Sequence, residues 1–260
     1  MIAEPGQFAA DADATGAGVR PRSARPAGGD RTVAQAAYGN RVAEAGSAPW
    51  LAARGAARGR LAGMGDNAFL DRVIAKVPRG AVNDYVFKHW SVAGKVTEEA
   101  LGFLPVPGVD ADQFLGRVMD LDHYTGPIPH VVESRAVADP RFTPPRQVRF
   151  YQRVKIPLLG EVHQELVIER FADIGGFQAA AWKMLEPETA ALSPKTAIRG
   201  GYNDGAWLVG PGVVGYALSS APRREDVGFI KWKALTAGAD VAASKVIRDN
   251  IAAMAKWAAR

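Results

Sequence analysis

Residues 147–171 read QVRFYQRVKIPLLGEVHQELVIERF, and this stretch decides the fold. In its first ten residues the apolar side chains recur with a period of two: Val148, Phe150, Val154 and Ile156. The positions between them carry polar or charged groups: Arg149, Tyr151, Arg153 and Lys155. This alternation predicts a β-strand with one buried and one solvated face. Residues 161–171 repeat the pattern after a tight turn, so the two segments predict an antiparallel pair.

Further strand patterns extend this pair into a meander. Residues 131–138 and 177–185 alternate in the same way on either side of it. Asn203-Asp204-Gly205 is a strong hairpin signal. Strands are also expected over residues 95–104, 206–209, 213–220 and 227–235.

A long Ala-rich helix is predicted to end the chain, over residues 240–257. Its apolar side chains fall on one face at helical spacing: Ala243, Ile247, Ile251, Met254 and Ala258. Shorter helices are expected over residues 69–77, within residues 81–90, and directly after Asp110, which can cap the third one. A curved antiparallel sheet around one long helix is an α+β fold. Small residues on that helix favour a hollow between helix and sheet over a solid core.

Composition narrows the class of protein. The chain has 260 residues, 48% of them hydrophobic and 23% charged, which is enough to bury a full core in one or two domains. It contains no run of about 18 apolar residues that would predict a transmembrane helix, and residues 1–10 do not resemble a secretory signal. The chain has no cysteine, which excludes disulfides, thiolate metal sites and a cysteine nucleophile. We therefore expect a cytoplasmic protein.

Residues 1–63 differ from the rest of the chain. They are dominated by Ala, Gly, Arg and Pro, and hold eight arginines against five acidic residues. Such a segment buries too little apolar surface to offset its ordering entropy, so we interpret it as a disordered tail before one domain over residues 64–260. Two other interpretations stay open: a targeting peptide, or a translation start at Met64. The domain itself is nearly neutral and shows no basic stripe with interleaved aromatics, so no nucleic-acid partner is expected.

The order of these elements resembles the START-like, helix-grip (SRPBCC) superfamily of lipid-transfer domains and polyketide aromatases and cyclases. The passage Val118-Met-Asp120-Leu-Asp122-His-Tyr124, followed by Pro129 and Ser134, is similar to the D-x-x-x-Y…P-x-V-x-x-S passage of that superfamily. Two further features support the resemblance: the paired strands of residues 148–170, and the segment from Asp204 to Tyr216 that precedes the last helix. The resemblance covers residues 95–260. It implies a helix-grip fold in which sheet and last helix enclose a hydrophobic cavity.

The resemblance also implies a ligand site. Gln152 and Gln164 are polar residues on otherwise apolar strand faces, and Arg170 lies on the same face as Gln164. A buried polar group without a hydrogen-bond partner costs about 1–3 kcal/mol. Each of these side chains must therefore contact another side chain, water or a ligand. Aromatic residues with a polar tip suit a flat apolar ligand with one oxygen, although ordinary core packing also explains them: Trp182, Trp207 and Tyr216. On the last helix the predicted wall residues are Ile247, Asn250, Ile251 and Met254.

Two functions follow as hypotheses. The first is binding and transfer of a lipid or sterol-like ligand, with transient membrane contact and with neither cofactor nor metal. The alternative is a polyketide aromatase or cyclase, which requires Arg170, Tyr216 or His163 in the cavity to hold and protonate an enolate. A packed structural module is the third possibility. No G-x-S-x-G, P-loop or G-x-G-x-x-G motif stands in the chain, and Asp120, Asp122 and His123 are interpreted as a helix end and corner rather than a metal site. No catalytic residue is therefore assigned.

Overall fold

The computed structural model describes residues 67–157, 159–185, 192–236 and 239–260. Eight strands form one curved sheet in the order β1-β2-β8-β7-β6-β5-β4-β3. Their bounds are β1 (Val86–Trp90), β2 (Glu99–Pro105), β3 (Val131–Val137), β4 (Gln147–Ile156), β5 (Gly160–Ile174), β6 (Phe177–Met184), β7 (Ile198–Gly210) and β8 (Val213–Pro222). Neighbouring strands are antiparallel. Near the start of β7, Ile198 also pairs with Val162 of β5 in parallel, which bends the sheet.

Within these described ranges, four α-helices accompany the sheet: α1 (Ala68–Lys76), α2 (Ala111–Val118), α3 (Phe229–Thr236) and α4 (Ala239–Ala258). The side chain of Asn67 accepts a hydrogen bond from the backbone N–H of Leu70, and that of Asp110 accepts one from Gln113. These caps satisfy backbone donors that have no partner inside the helix. The predicted cap at Asp110 and the predicted helix over residues 69–77 are therefore confirmed.

The two faces of the sheet pack against different helices. The concave face packs against α2 and α4, and its core includes Phe114, Leu166 and Ile251. The opposite face packs against α1, where Phe69 and Val167 belong to a second core. Residues 166 and 167 illustrate the cause, because neighbouring side chains of a strand point to opposite faces. The two-layered arrangement around α4 confirms the predicted α+β fold.

Helix α4 approaches the sheet closely at one strand. A Cβ atom on Gly102 of β2 would lie 2.5 Å from Cγ2 of Ile247, so only glycine allows this contact. Ile247, Ile251 and Met254 are fully buried, which confirms the predicted apolar face of the helix. The contact places the middle of α4 against β2.

Two predicted elements were wrong. Residues 227–235 are not a strand but contain α3, which lies beyond the end of β8. Because β7 and β8 are already paired on both edges, the chain has no strand edge to join there. Residues 81–90 contain no second helix; they include β1, whose pairing with β2 overrides the weak local pattern. The strand expected over residues 95–104 is confirmed as β2, although it begins at Glu99 and is the second strand along the chain.

The hairpin predicted at Asn203-Asp204-Gly205 was also wrong, because these residues lie inside β7. The turn that follows β7 is formed by Pro211 and Gly212, and Gly212 has a φ of +68° that suits glycine. Residues 1–63, predicted to be a tail, lie outside the described residues. None of the described helices is long and apolar enough to cross a membrane.

Candidate functional site

A cavity of about 380 Å³ lies between the concave face of the sheet and α4. Strands β4 to β8 supply most of its wall, α4 supplies the opposite wall, and residues 128–131 supply one end. The main apolar wall residues are Ile128, Phe150, Val154, Ile168, Leu218, Val246 and Met254. At the end formed by His130, Lys155 and Pro157 the side chains are exposed, so we define these three residues as the mouth.

Three aromatic side chains form one continuous wall of the cavity. The ring centroids of Trp182 and Tyr216 lie 5.7 Å apart, and those of Trp207 and Tyr216 lie 4.3 Å apart. Phe114 of α2 supports Trp207 from behind, in an edge-to-face contact at 5.5 Å. Aromatic side chains carry large apolar faces and are stabilised by such contacts, so this wall offers a continuous apolar surface.

Glycine makes room for part of this wall. Gly205 of β7 pairs with Trp182 of β6, and a Cβ atom on Gly205 would lie 1.9 Å from Cζ2 of the indole. Any other residue would therefore displace the indole. Gly205 had been interpreted as a turn residue, whereas its role in the structure is to accommodate an aromatic neighbour across the ladder.

Two tyrosines line the cavity in different electrostatic settings. The hydroxyl of Tyr124 donates a hydrogen bond to the carbonyl of Val118, which explains the corner after α2. The hydroxyl of Tyr216 makes no hydrogen bond within the part of the chain that the structure describes. Burial raises the pKa of both hydroxyls, because the charged phenolate is disfavoured away from water. Both are therefore neutral at physiological pH.

A chain of polar side chains crosses three strands of the cavity wall. Nε1 of Trp182 donates to Oδ1 of Asn203 at 2.9 Å, and Nδ2 of Asn203 donates to Oε1 of Gln164 at 2.5 Å. All three residues are buried. Gln152 lies directly opposite Gln164 on the neighbouring strand β4 and shares its face. The buried amides thus satisfy one another in part, as their burial demands.

Seven of the ten predicted site residues line this cavity: Gln152, Gln164, Trp182, Trp207, Tyr216, Asn250 and Met254. Ile247 and Ile251 do not; they point into the core, where Ile247 lies against Gly102. Arg170 does not either, since its guanidinium forms an ion pair with Asp112 of α2 and a 3.4 Å hydrogen bond with Gln178. Whether the seven contact a ligand stays a prediction.

The sequence also contained a signal for Asn203 that the hairpin interpretation concealed. In a strand, residues two and four positions apart share a face, so Trp207 places Gly205 and Asn203 on the cavity side. Asp204 points to the other face, where Nζ of Lys95 lies 2.8 Å from its carboxylate. Wall residues from the turn before β3, such as Ile128 and His130, had no comparable signal because they belong to no periodic element.

Two groups that could suggest other chemistry lie outside the cavity. His163 is bound through Nδ1 to the hydroxyl of Tyr151 at 2.6 Å on the opposite face of the sheet. Of the three residues that the cyclase alternative would use, Tyr216 alone lines the cavity. His123 is exposed and contacts Asp120 at 2.6 Å. Among the described residues, no group of three or more His, Cys, Asp or Glu side chains could hold a metal.

Comparison with known proteins assigns the fold. No family model matches the chain, and no curated protein matches it. Among solved structures, the chain is similar to a fragment of the STAR-related lipid transfer protein from Xanthomonas axonopodis. The identity is 14% and the TM-score 0.56, over 70% of this chain and 97% of the other. The chain has the START-like helix-grip fold.

Two further structures are similar at lower TM-scores. Human STARD10 is 14% identical with a TM-score of 0.49, over 70% of this chain and 78% of its own. The di-domain ARO/CYC StfQ from the steffimycin biosynthetic pathway is 18% identical with a TM-score of 0.40, over 62% of this chain and 48% of its own. The START-like fold agrees with the resemblance that was based on residues 118–124 and on the order of the predicted strands.

Proposed function

We propose that the protein binds an apolar small molecule in the cavity between the sheet and α4, and transfers it. The observation that carries this proposal is an apolar cavity of about 380 Å³ whose buried polar groups are only partly satisfied by one another. Removing apolar surface from water stabilises a complex by about 25 cal/mol per Å², so burying about 200 Å² of ligand contributes about 5 kcal/mol. Binding of this kind needs no catalytic residue, and the START-like fold supports it.

The size of the cavity favours a compact ligand. Ligand cavities usually measure about 300–1,000 Å³, and this one lies near the lower limit. A ring system such as a sterol, or a single acyl chain, fits that volume better than a lipid with two chains. The continuous wall of Trp182, Trp207 and Tyr216 further favours a flat ligand, which can lie against aromatic faces.

Transfer requires contact with a membrane, and we propose that α3 makes it. Phe229 and Ile230 at the start of this helix are 72% and 83% exposed. The basic residues of the same segment, Arg223, Arg224, Lys231 and Lys233, outnumber its acidic residues, Glu225 and Asp226. Exposed apolar side chains beside basic ones suit the surface of an anionic bilayer.

The position of α3 relative to the cavity supports this role. Trp232 of α3 and Ile156 of β4 both pack against a buried cluster that contains Leu159 and Val162. Ile156 also lines the cavity, next to the mouth residues Lys155 and Pro157. A bilayer that contacts Phe229 and Ile230 would therefore lie near the mouth, where a ligand enters or leaves.

A binding titration tests the proposal. Purified protein is titrated with a fluorescent sterol and, separately, with a fluorescent single-chain fatty acid. We expect saturable binding of one molecule per chain for at least one probe. If neither probe binds saturably, the proposed function is wrong.

A further inference from the structure

The polar chain in the cavity wall has a fixed direction, and that direction follows from its first member. An indole N–H can only donate a hydrogen bond, so the atom of Asn203 that faces Trp182 must be the amide oxygen. The Asn203 amide nitrogen then faces Gln164 and donates to it, so the Gln164 atom at this contact must be its oxygen. Both amide orientations are thus set by the Trp182 indole.

The consequence is a donor that a ligand can reach. With its oxygen held by Asn203, Gln164 turns its amide nitrogen, Nε2, away from that contact. Within the described part of the chain, the hydrogen bond from Asn203 to Oε1 is the one that the Gln164 amide makes, so Nε2 is available to a group in the cavity. Gln164 itself is buried and lines the cavity, and its neighbour Gln152 lines the same wall. A ligand that displaces water from this N–H without supplying an acceptor leaves it unpaired, which costs free energy, whereas an acceptor on the ligand avoids that cost.

The distance between Nε2 of Gln164 and the basic side chains of the cavity wall excludes a carboxylate as the acceptor. The ionisable cations of the cavity wall, Lys155 and His130, lie at the exposed mouth. Lys155 is three residues from Gln152 along β4, which corresponds to about 10 Å. A carboxylate beside Gln164 would therefore be buried without a counter-ion, at a large cost. A carbonyl oxygen accepts the same hydrogen bond without that cost.

We infer that the cavity selects an uncharged, flat ring compound with a carbonyl oxygen, which accepts a hydrogen bond from Nε2 of Gln164. Gln164 is the residue that contacts the ligand. Trp182 and Asn203 are positioning residues, because they determine which atom of the Gln164 amide faces the cavity. This inference rests on the proposed function and adds the chemical class of the ligand to it.

Three probes of one shape test the inference: 9-fluorenone, which carries a ketone, the hydrocarbon fluorene, and fluorene-9-carboxylate. Equilibrium dialysis against the full chain gives the affinity for each. In a purely apolar cavity fluorene would bind more tightly, because the ketone would lose its hydrogen bonds to water. We expect instead that fluorenone binds about tenfold more tightly than fluorene, and more tightly than the carboxylate.

Two variants and one control identify the groups responsible. Trp182→Phe keeps an aromatic ring but removes the donor that orients Asn203, and Gln164→Met removes the final donor at nearly constant volume. In each variant the preference for fluorenone over fluorene should fall to about one or below. Trp257→Phe is the matched control: it removes an indole from α4 that neither lines the cavity nor belongs to the polar chain, and the preference should persist. The ratio of two affinities cancels the change in cavity volume, and circular dichroism checks the fold.

Each outcome has a definite meaning. If fluorenone and fluorene bind the native protein equally, the proposed function stands and this inference is wrong. A preference that survives in both Trp182→Phe and Gln164→Met also overturns it, as does equal binding of the carboxylate. If none of the probes binds, the inference fails, and the titration with larger probes decides separately whether the proposed function fails with it.

Discussion

The indole of Trp182 occupies the place where any side chain on Gly205 would stand, since a Cβ atom there would lie 1.9 Å from Cζ2. This relationship joins β6 to β7 and holds the indole where its N–H reaches Asn203. A single glycine inside a strand thereby supports both the packing and the polar chain of the cavity wall.

Replacing Gly205 by alanine should therefore disturb the site. We expect Gly205→Ala to lower the free energy of unfolding by about 1–3 kcal/mol, because an added methyl group in a packed interior forces side chains to shift. Urea denaturation followed by circular dichroism measures this change. Gly116→Ala is the control: nothing lies within 4 Å of the added Cβ on the exposed face of α2, and alanine stabilises a helix by up to about 1 kcal/mol. Equal effects of the two substitutions would contradict the packing described.

Met254 of α4 gives a direct test of the cavity wall. It is fully buried and lines the cavity, so Met254→Trp should fill much of the space and lower ligand affinity at least about tenfold. The same change at Ala252, which lies on the exposed face of α4, should leave affinity unchanged. Titration with a fluorescent sterol compares the two variants, and circular dichroism checks their folds. Unchanged uptake by Met254→Trp would show that this helix face is not a wall of the site.

Much of this site was predictable because its elements are locally periodic. The apolar face of α4 follows from spacing alone, and the shared face of Gln152 and Gln164 follows from the alternation in two neighbouring strands. The stability of such elements comes from the face they bury, and the spacing of apolar residues in the sequence predicts that face.

The remaining errors arose where distant residues decide the structure. Residues 227–235 were expected to form a strand, but β7 and β8, the strands that directly precede this segment, are already paired on both edges. Asn203 and Gly205 resembled a turn, yet the first bonds Trp182 and the second accommodates it. Arg170 shares its strand face with Gln164, but Asp112 of α2 lies close enough to pair with it. The alternation of β7 places Asn203 on the cavity face, but the partners of Asn203, Gly205 and Arg170 lie on distant elements that the nearby sequence does not reveal.

The exposed apolar pair of α3 predicts how the protein meets a bilayer. Phe229→Asp combined with Ile230→Asp should lower binding to vesicles of phosphatidylcholine and phosphatidylserine by at least about tenfold, since burial of each apolar side chain contributes about 1.5–3 kcal/mol. Co-sedimentation measures this binding. The double variant should keep its affinity for a soluble probe, because neither residue lines the cavity.

Val96→Asp is the matched control for this surface. Val96 is also a large exposed apolar residue, at 52%, but it lies in the connection between β1 and β2. The Val96→Asp variant should bind vesicles as tightly as the native protein does. If Val96→Asp weakens vesicle binding as much as the double variant does, α3 is not the contact surface.

The ion pairs of Glu99 should make the free energy of unfolding fall at acidic pH. Its carboxylate is fully buried and accepts hydrogen bonds from Arg72 at 2.6 Å, Lys95 at 3.0 Å and Trp90 at 2.9 Å. Burial alone would raise the pKa of Glu99, but the hydrogen bonds from Arg72 and Lys95 outweigh it and lower this pKa. The resulting stabilisation is present above the unfolded-state pKa and is lost as the pH falls through the folded-state pKa.

Glu99→Gln should consequently unfold more easily at pH 7, by about 3 kcal/mol, because Arg72 and Lys95 lose their buried partner. The difference from the native protein should shrink as the pH is lowered below about 4.5. Urea denaturation over a pH series measures it. Glu161→Gln, at an exposed ion pair with Arg153, should change stability by less than about 1 kcal/mol at every pH. A constant difference for Glu99→Gln down to pH 3 would contradict the lowered pKa.

Mass spectrometry of an organic extract of the purified protein tests the ligand-binding role most directly. Protein purified from cells without added ligand is extracted, and the extract is compared with that of the Met254→Trp variant. We expect the native protein to release a compact apolar molecule that is absent from the variant. A native protein that yields no such molecule, and that also fails to bind fluorescent sterols and fatty acids, would contradict the proposed role.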